Sequence, residues 1–212
     1  MKTTHPLLAP TLAVGLLLAS CGQASEKTPA TAPVQPATEA TLPADAAAQA
    51  PAWTASAAGV GPVTAETDFT REAIAALFPQ SEVKTAFLSE EGMQVPIITV
   101  NGPQELVLEI KEGMTPGKVG VIRAQGGPVV GPRGETLMAG FGGLDLKAAD
   151  CVIGADSFSG AALCRRADTP TLAYVIGARG ELAGNPGDTP DAAALQDKGF
   201  LREFLWQAPL PN

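Results

Sequence analysis

Residues 95–110 read VPIITVNGPQELVLEI, and this stretch decides the fold class. Its two halves, 95–100 and 105–110, are rich in β-branched and aliphatic residues, which favour extended strands. Asn101-Gly102 lies between the halves and tolerates the positive φ angles of a tight turn. The segment therefore predicts an antiparallel β-hairpin near the middle of the chain.

Outside this hairpin, most apolar runs are short and are separated by turn residues. The chain has 23 Gly and 19 Pro, a composition typical of many turns and little long helix. Residues 200–206 fit either a helix or a strand. The other predicted strands are 60–64 as an extended entry segment, 119–123 after a turn at 116–117, 135–138, 152–153, 161–164, and a second hairpin made of 172–176 and Leu182 around a turn at 178–180.

A first helix is predicted directly after the entry segment. Asp68 or Thr70 can cap its N-terminus, and Pro79 ends it. One face of this helix is apolar, which indicates that it packs on the core. The residues of that face are Phe69, Ala73, Ile74, Leu77 and Phe78.

A second helix is predicted near the C-terminus. Thr189 is placed as its N-cap, Pro190 at the first helical position, Asp191 in the first turn and Gly199 as its stop. Residues 141–149 allow a further short helical turn. Together the patterns predict a mainly β domain, an antiparallel sheet or sandwich with two short helices and one disulfide.

The charge and the histidine content exclude several classes of function. The formal net charge is -8, and loss of Lys2 with a leader would make it more negative, so nucleic acid is a poor partner. The single histidine is His5, within the predicted leader. The mature chain therefore lacks the base of a Ser-His-Asp or Cys-His site and any His-ligated metal site, and we expect no metal and no cofactor.

The N-terminus has the pattern of a bacterial lipoprotein signal over residues 1–20. Lys2 precedes an apolar run, 7–18, that is too short to cross the ~30 Å of a bilayer core as a helix. The run ends in Leu18-Ala19-Ser20-Cys21, which resembles a lipobox whose Cys21 thiol accepts lipid. The alternative is an ordinary cleavable signal. Gly22 replaces the aspartate of an inner-membrane retention signal, so we expect the periplasmic face of the outer membrane.

Residues 21–52 are predicted to be the lipidated cysteine followed by a disordered tether. Ala, Pro and Thr dominate this segment, and it has no pattern of large apolar residues to bury. The folded domain is placed at 53–212, starting at Trp53, the first large apolar residue. The acyl chains on Cys21 would make the membrane the first partner.

Cys151 and Cys164 are the two thiols that remain once Cys21 is acylated. Cysteine pairs in small exported domains usually form disulfides, so a structural disulfide is predicted. The alternatives are free thiols, a redox pair or a metal site. A redox pair is more often spaced C-x-x-C, and a metal would need two carboxylate ligands in addition.

Carboxylates are the candidate catalysts of this chain. Glu66, Asp68 and Glu72 cluster around the first helix, and Glu90-Glu91 precede the hairpin. Two carboxylates about 5–9 Å apart, one with a raised pKa, would permit glycoside hydrolysis of the cell wall. The alternative is helix capping and a solvated acidic surface, which predicts no catalytic residue.

Two further motifs are candidate sites. Ser157 and Ser159 lie in GADSFSG, which resembles a nucleophile elbow only loosely, and Lys147 or Lys198 would have to act as the base. Residues 126–134, GGPVVGPRG, lack the G-K-[ST] ending of a phosphate loop. A turn or a flexible binding loop is the preferred interpretation of that segment.

Residues 53–212 resemble the YfeY-type, RpoE-regulated lipoproteins, a family whose domain has no assigned function. The resemblance implies a mainly β domain and a role in outer-membrane homeostasis, and it supplies no catalytic residue. This chain has a longer Ala/Pro tether and a Gly-richer middle. The resemblance is carried by GVGPVTA at 59–65 with Ala73-Ile74-Ala75, the 98–110 hairpin, the separation of Cys151 and Cys164, and Gly180-Glu181 with PGDT at 186–189 and Leu205-Trp206.

The sequence therefore predicts an outer-membrane-anchored periplasmic lipoprotein, a non-enzymatic envelope-homeostasis or binding module with an envelope protein or peptidoglycan as partner. Two other functions stay open at this point. One is a carboxylate-dependent cell-wall hydrolase, which needs two acidic side chains converging in a cleft. The other is a small-ligand or lipid carrier, which needs an enclosed apolar cavity.

Overall fold

The computed structural model describes residues 53–90 and 92–211. Within these residues β-strands dominate, joined by two short α-helices and four single 3₁₀ turns. In chain order the helices and strands are β1 (Trp53–Ser56), β2 (Gly59–Val60), β3 (Val63–Thr64), α1 (Arg71–Leu77), β4 (Glu82–Glu90), β5 (Met93–Asn101), β6 (Val107–Glu112), β7 (Val119–Gly126), β8 (Val129–Val130), β9 (Cys151–Ile153), β10 (Ala162–Arg165), β11 (Leu172–Ala178), α2 (Ala192–Lys198) and β12 (Gly199–Gln207).

Eight strands form one antiparallel sheet in the order β4-β5-β6-β7-β12-β11-β10-β9. Because side chains alternate between the two faces of a strand, directly paired residues of neighbouring strands share a face. One row crosses the whole sheet and contains an apolar residue from every strand. The row is Val83, Val100, Leu108, Ala124, Phe204, Tyr174, Cys164 and Cys151. This side, the core face, carries the main hydrophobic core.

A small second sheet and the helices cover the core face. β1 pairs with β2 in antiparallel and with β8 in parallel orientation, and β3 completes this sheet. Its side chains Val60, Val63 and Val129 are buried in the same core as Ile74 of α1 and Leu195 of α2. The predicted fold class, a mainly β antiparallel domain with two short helices, is confirmed.

The first helix follows the prediction closely. α1 begins after Thr70, whose hydroxyl accepts a hydrogen bond from the backbone N–H of Ala73 at 3.2 Å. Its last residue is Leu77, and Phe78 is the C-cap before Pro79. Ile74 and Phe78 are buried, as the apolar face predicted.

The second helix starts later than predicted. Asp191, not Thr189, is the N-cap of α2, and its carboxylate accepts from the Ala194 N–H at 2.7 Å. Pro190 therefore precedes the helix instead of opening it. Gly199 is the C-cap, as expected. A carboxylate and a hydroxyl are both good caps, so the sequence left the exact start of this helix open.

The central hairpin exists, but its turn differs from the prediction. β5 extends through Asn101, and Gly102 has an extended φ of -115°. The positive φ angles fall on Gln104 (57°) and Glu105 (61°), within a 3₁₀ turn. The hydrogen bond from the Gly102 N–H to the Leu106 carbonyl closes this longer loop at 2.9 Å. Asn101-Gly102 therefore does not form a tight two-residue turn.

The predicted second hairpin, 172–176 with Leu182, is wrong. β11 pairs with β10 on one side and with β12 on the other, and Leu182 lies outside any strand although it is buried. The ambiguous segment 200–206 is strand β12, which lies near the middle of the sheet between β7 and β11. β4 was not predicted as a strand, although it pairs with β5 along its full length.

The disulfide joins the last two strands of the sheet. Cys151 of β9 and Cys164 of β10 are directly paired, with Cα atoms 3.9 Å apart, and both are buried. The predicted structural disulfide is confirmed, and it fixes the short edge strand β9 to the sheet.

The predicted leader 1–20, Cys21 and the predicted tether 22–52 lie outside the described residues. Among the residues that the structure describes, no helix has the length and apolar character needed to cross a membrane.

Candidate functional site

The second side of the large sheet, which we call the cleft face, combines apolar and charged side chains. Lys111 pairs with Val121, Glu109 with Arg123, and Arg123 with Leu205. Because directly paired residues share a face, these side chains all lie on this side of the sheet. A smaller buried cluster lies here, separate from the main core. Its members are Ala161, Ala173, Val175 and Leu205, with Val121, Phe158 and Leu163 packed against them.

Glu203 of β12 is the charged centre of the cleft face. Its side chain is only 1% exposed, and the guanidinium of Arg123 donates to both of its carboxylate oxygens at 2.8 and 3.0 Å. Arg202 donates two more hydrogen bonds at 2.8 and 3.2 Å, and Gln125 donates one at 3.3 Å. A buried carboxylate with this many donors is fully compensated.

The network fixes the protonation state of these side chains. Burial opposes ionisation of Glu203, yet hydrogen bonds and charges from Arg123 and Arg202 outweigh it and hold the pKa below its ordinary value. Burial also opposes the charge of Arg123, but Glu203 and Glu109 raise its pKa. Both groups therefore stay charged at neutral pH, so Glu203 carries no proton to donate to a substrate.

A loop from the far edge of the sheet covers part of the network. Residues 156–158 form a 3₁₀ turn, and the Phe158 ring lies 5.0 Å from the Arg123 guanidinium carbon. A cation placed over an aromatic ring is attracted by its quadrupole. This contact draws the 155–158 loop over the sheet and makes it one wall of a cleft.

The cleft has a volume of about 650 Å³ and is open to solvent. Its floor includes Val95, Val121 and Leu205, next to Arg123. Its rim is formed by the tip of the β4–β5 hairpin on one side and by the 155–158 loop on the other. The rim residues are Ser89, Glu90, Met93, Ala155, Asp156, Ser157 and Phe158.

An adjoining cleft of about 650 Å³ shares Val121 and Gln207 with the first. Met114 and Leu210 line it and are 73% and 74% exposed. These two adjoining clefts, which meet at Val121 and Gln207, are called the groove, and apolar side chains are exposed in both. A third, smaller cleft of about 240 Å³ lies at Trp53 and Phe78.

A second ionic cluster lies on the core face and holds loops together. Arg166 donates to Glu135 at 2.5 Å and to the Leu144 carbonyl, and the Tyr174 hydroxyl donates to Glu135 at 3.3 Å. Burial raises the pKa of Tyr174 to about 12, and burial also opposes the charge on Glu135, whose backbone donors and Arg166 nevertheless lower its pKa. This cluster faces no cleft described above, so its role is to fix the chain around 131–135.

The structure brings Glu66 and Asp68 to the same lysine and places Glu72 and Glu90 in separate ion pairs. Glu90 lies on the rim of the cleft and pairs with Lys111. Lys118 donates to the Asp68 carboxylate and to the Glu66 backbone carbonyl, each at 2.8 Å. Glu66 also lines the adjoining cleft. Glu72 pairs with Arg71 at the surface, and Glu91 lies outside the described residues.

The serine motif is placed differently from a nucleophile elbow. Ser157 is exposed on the rim of the cleft, and among the described residues no hydrogen bond joins Ser157 or Ser159 to a lysine. Lys198 instead donates to the Glu181 carbonyl at 3.2 Å. Lys147 is exposed before the disulfide.

The 126–134 segment is structural. It contains β8, and its Arg133 binds Asp145 and Asp168 at 2.7 and 2.9 Å. The segment was predicted to be a turn or a flexible loop, and it also contributes the short strand β8 to the small sheet.

Sequence reasoning missed Arg123, Glu203 and Glu109, which lie in strands and in no motif. Arg123 lies in the mainly apolar stretch 119–124, and Arg202 with Glu203 lies between the apolar pairs 200–201 and 204–205. Charged residues inside apolar stretches were the available signal, because a buried charge needs a partner.

The fold and site together define a mainly β, disulfide-bonded domain with a mixed apolar and ionic cleft. No family model and no curated sequence matches this chain. Its structure is similar to the crystal structure of the uncharacterized protein YfeY from Escherichia coli, with a TM-score of 0.58 and 22% identity over 73% of this chain and 99% of that chain. The YfeY-type fold that the sequence resemblance implied is therefore confirmed, and the likeness carries the fold alone.

Proposed function

We propose that this chain is a lipoprotein of the outer membrane, anchored on the periplasmic side through acylated Cys21, whose domain is a non-enzymatic binding module. Its ligand is an envelope protein, bound by the groove on the cleft face. The observation that carries this proposal is the pair of adjoining clefts, in which the 155–158 loop forms one wall and apolar side chains lie beside the Arg123–Glu203 ion pair.

The state of the charged groups supports binding over catalysis. A general acid needs a carboxyl whose pKa is raised toward neutrality. The most buried carboxylate of the cleft face, Glu203, is instead held ionised by Arg123 and Arg202. Its bonds would have to break before it could act on a substrate, which favours a structural role for it.

The composition of the groove supports a protein ligand. Protein interfaces combine an apolar centre with a polar rim and are enriched in Met, aromatic residues and Arg. Here Val121 and Leu205 form the centre, while Met93 and Met114 are exposed at the margins. A carbohydrate site would favour an exposed aromatic platform, but Phe158 of this cleft already packs on Arg123.

The lipobox-like sequence before Cys21 supports the lipid anchor, and such an anchor would hold the domain near one membrane. A doubly or triply acylated cysteine is held firmly, because each buried methylene contributes ~0.8 kcal/mol. A tether of about thirty residues of flexible coil would reach roughly 30 Å. The domain would then search for partners close to the membrane, consistent with a role in envelope homeostasis.

Site-specific photocrosslinking in intact cells tests the binding surface. A photoreactive phenylalanine analogue replaces Ser157 on the cleft rim, and in a matched control it replaces Asp197, which is exposed on α2 on the opposite side of the sheet. We expect a discrete protein adduct from position 157 and none from position 197. Equal adducts from both positions, or none at 157, would refute the groove as the binding surface.

Two companion measurements separate the remaining functions. Mass spectrometry of the native protein should find acylated Cys21 as the first residue, and an unmodified Cys21 would remove the anchor without affecting the crosslinking result. Incubation with purified peptidoglycan should release no fragments. Release that is abolished by Glu90→Gln would establish the hydrolase instead, and an adduct of position 157 with wall fragments would establish peptidoglycan as the ligand.

A further inference from the structure

The strand β4 leaves one edge of the eight-stranded sheet open. It is nine residues long and pairs with β5 alone. No other backbone hydrogen bond from the described residues reaches it. A long open edge presents unpaired N–H and C=O groups and is a template for another strand.

The pairing pattern shows which residues of β4 present these groups. Pro96 pairs with Phe87 and has no N–H, so this pair is one that exchanges no hydrogen bonds between β4 and β5. The bond from the Gly102 N–H to Leu106 agrees, because it places the polar groups of even-numbered β5 residues toward β6. The odd-numbered residues of β4, centred on Phe87, therefore direct their N–H and C=O groups to the open edge.

We propose that β4 pairs with β4 of a second copy of this chain, antiparallel and centred on Phe87, to form a two-fold symmetric dimer. In this register Phe87 faces the partner subunit's Phe87, and Thr85 faces the partner subunit's Ser89. Lys84 faces the partner subunit's Glu90, and symmetry repeats this ion pair. A two-fold interface uses the same patch on both copies, and this strand is complementary to itself.

Charge and exposure select this register over its neighbours. Centring the pair on Ala86 would place Glu82 opposite the partner subunit's Glu90, a repulsive pair. Centring it on Leu88 would leave Lys84 without an acidic partner. Phe87 is a large apolar side chain and is 63% exposed, so pairing with a second copy would bury apolar surface that now faces solvent. The side chains of Lys84 and Glu90 are 61% and 47% exposed, so both can leave their present contacts with Glu82 and Lys111.

The dimer has a geometric consequence for the cleft face. The two-fold axis of an antiparallel strand pair stands perpendicular to the sheet, so both copies turn the same face to the same side. Two grooves would lie side by side, on either side of the joined β4 strands. The inference goes beyond the proposed function, because a monomer could still bind a partner in its groove.

Engineered disulfides in intact cells test the register. Lys84→Cys and Glu90→Cys are placed in two differently tagged copies of the full-length chain. These positions are directly opposed without hydrogen bonding in the proposed pair, as close as cross-strand disulfides require. We expect a mixed disulfide when the two copies are coexpressed. The control pair, Glu82→Cys with Glu90→Cys, reports the register centred on Ala86 and should give little product.

Charge exchange tests the pairing independently. Lys84→Glu or Glu90→Lys alone should weaken dimerisation by roughly tenfold, because each places like charges opposite one another twice per dimer. The combined exchange of both charges should restore it. Native mass spectrometry of the acylated protein in detergent measures the dimer fraction, and far-ultraviolet circular dichroism confirms the fold of each variant.

Three results would overturn the dimer. These are a monomer at all concentrations, equal disulfide yields from the two cysteine pairs, and no recovery in the charge-exchanged variant. Capture of a different protein by Lys84→Cys, without the second copy, would show that another chain occupies this edge.

Discussion

Removal of the Arg123 guanidinium should destabilise the domain through one identifiable carboxylate. Glu203 is 1% exposed and receives two hydrogen bonds from Arg123 and two from Arg202. Arg123→Met keeps most of the aliphatic volume but leaves Glu203 with only part of its compensation. Hydrogen bonds to charged groups contribute about 1.5–3 kcal/mol, and complete loss of a buried partner costs about 3–5 kcal/mol. Because Arg202 remains, we expect a loss of about 2–3 kcal/mol.

A double-mutant cycle isolates the Arg123–Glu203 interaction from the packing of each side chain. Glu203→Met alone should also cost about 2–3 kcal/mol, because the hydrogen bond to Glu109 at 3.5 Å is then the one ionic contact left to the Arg123 guanidinium among the described residues. The loss of unfolding free energy in the double variant should be smaller than the sum of the two single losses by about 1.5–3 kcal/mol, because neither member of the pair is then left without the other.

Urea unfolding of the oxidised protein provides the assay. The buried indole of Trp206 reports the core by fluorescence. The exposed pair Lys118–Asp68 serves as the matched control, with side chains 34% and 64% exposed. Its removal should change the free energy of unfolding far less than removal of the Arg123–Glu203 pair, because solvent screens exposed charges. Additive losses in the Arg123–Glu203 cycle, or a coupling no larger than that of the control pair, would refute the role given to the network.

Three other perturbations have defined outcomes. The pKa of Tyr174 rises from 10.0 to about 12 on folding, so the folded state retains a proton that the unfolded chain loses, and stability should fall as the pH rises between these values; in Tyr174→Phe, denaturant titrations should lack this part of the decline. Replacing both Cys151 and Cys164 by Ser opens a loop with a sequence separation of 13 and should lower the free energy of unfolding by ~3 kcal/mol, and a reducing agent should then have no further effect. Gly120→Ala would place a Cβ 2.1 Å from the backbone of a facing glycine and should cost ~3 kcal/mol in the same titration, whereas Gly143→Ala meets nothing within 4 Å and should be nearly neutral.

Local patterns predicted those parts of the fold whose cause lies within a few residues. The α1 cap at Thr70 and the end of α1 before Pro79 depend on hydrogen bonds and steric clashes between near neighbours, so the sequence predicts both. The alternating residues of β5 and β6 likewise predict a hairpin, although the loop residues with positive φ lie three positions later than the predicted Asn101-Gly102. The disulfide was predicted from the cysteine count together with the export that the N-terminal sequence predicts.

Long-range pairing decided the elements that local pattern misassigned. Segment 200–206 is equally apolar for a helix and for a strand, and its position between β7 and β11 made it a strand buried on both faces. Leu182 is buried without joining a strand, because β11 already has β10 and β12 as neighbours. Strand β4 is polar and largely exposed, so its own residues give little signal of a strand, although it pairs along its full length with the next strand, β5.

The amino-acid sequence alone determined the mainly β class, the cap of the first helix, the cysteine pairing and the candidate anchor at Cys21. These depend on composition, on neighbouring residues or on a short motif. Only the tertiary structure joined Arg123 to Glu203, eighty positions apart, and folded the Phe158 loop over them into a cleft. The physical reason is that a buried charge is stable only beside its counter-charge, and sheet order, not sequence distance, decides which side chains become neighbours.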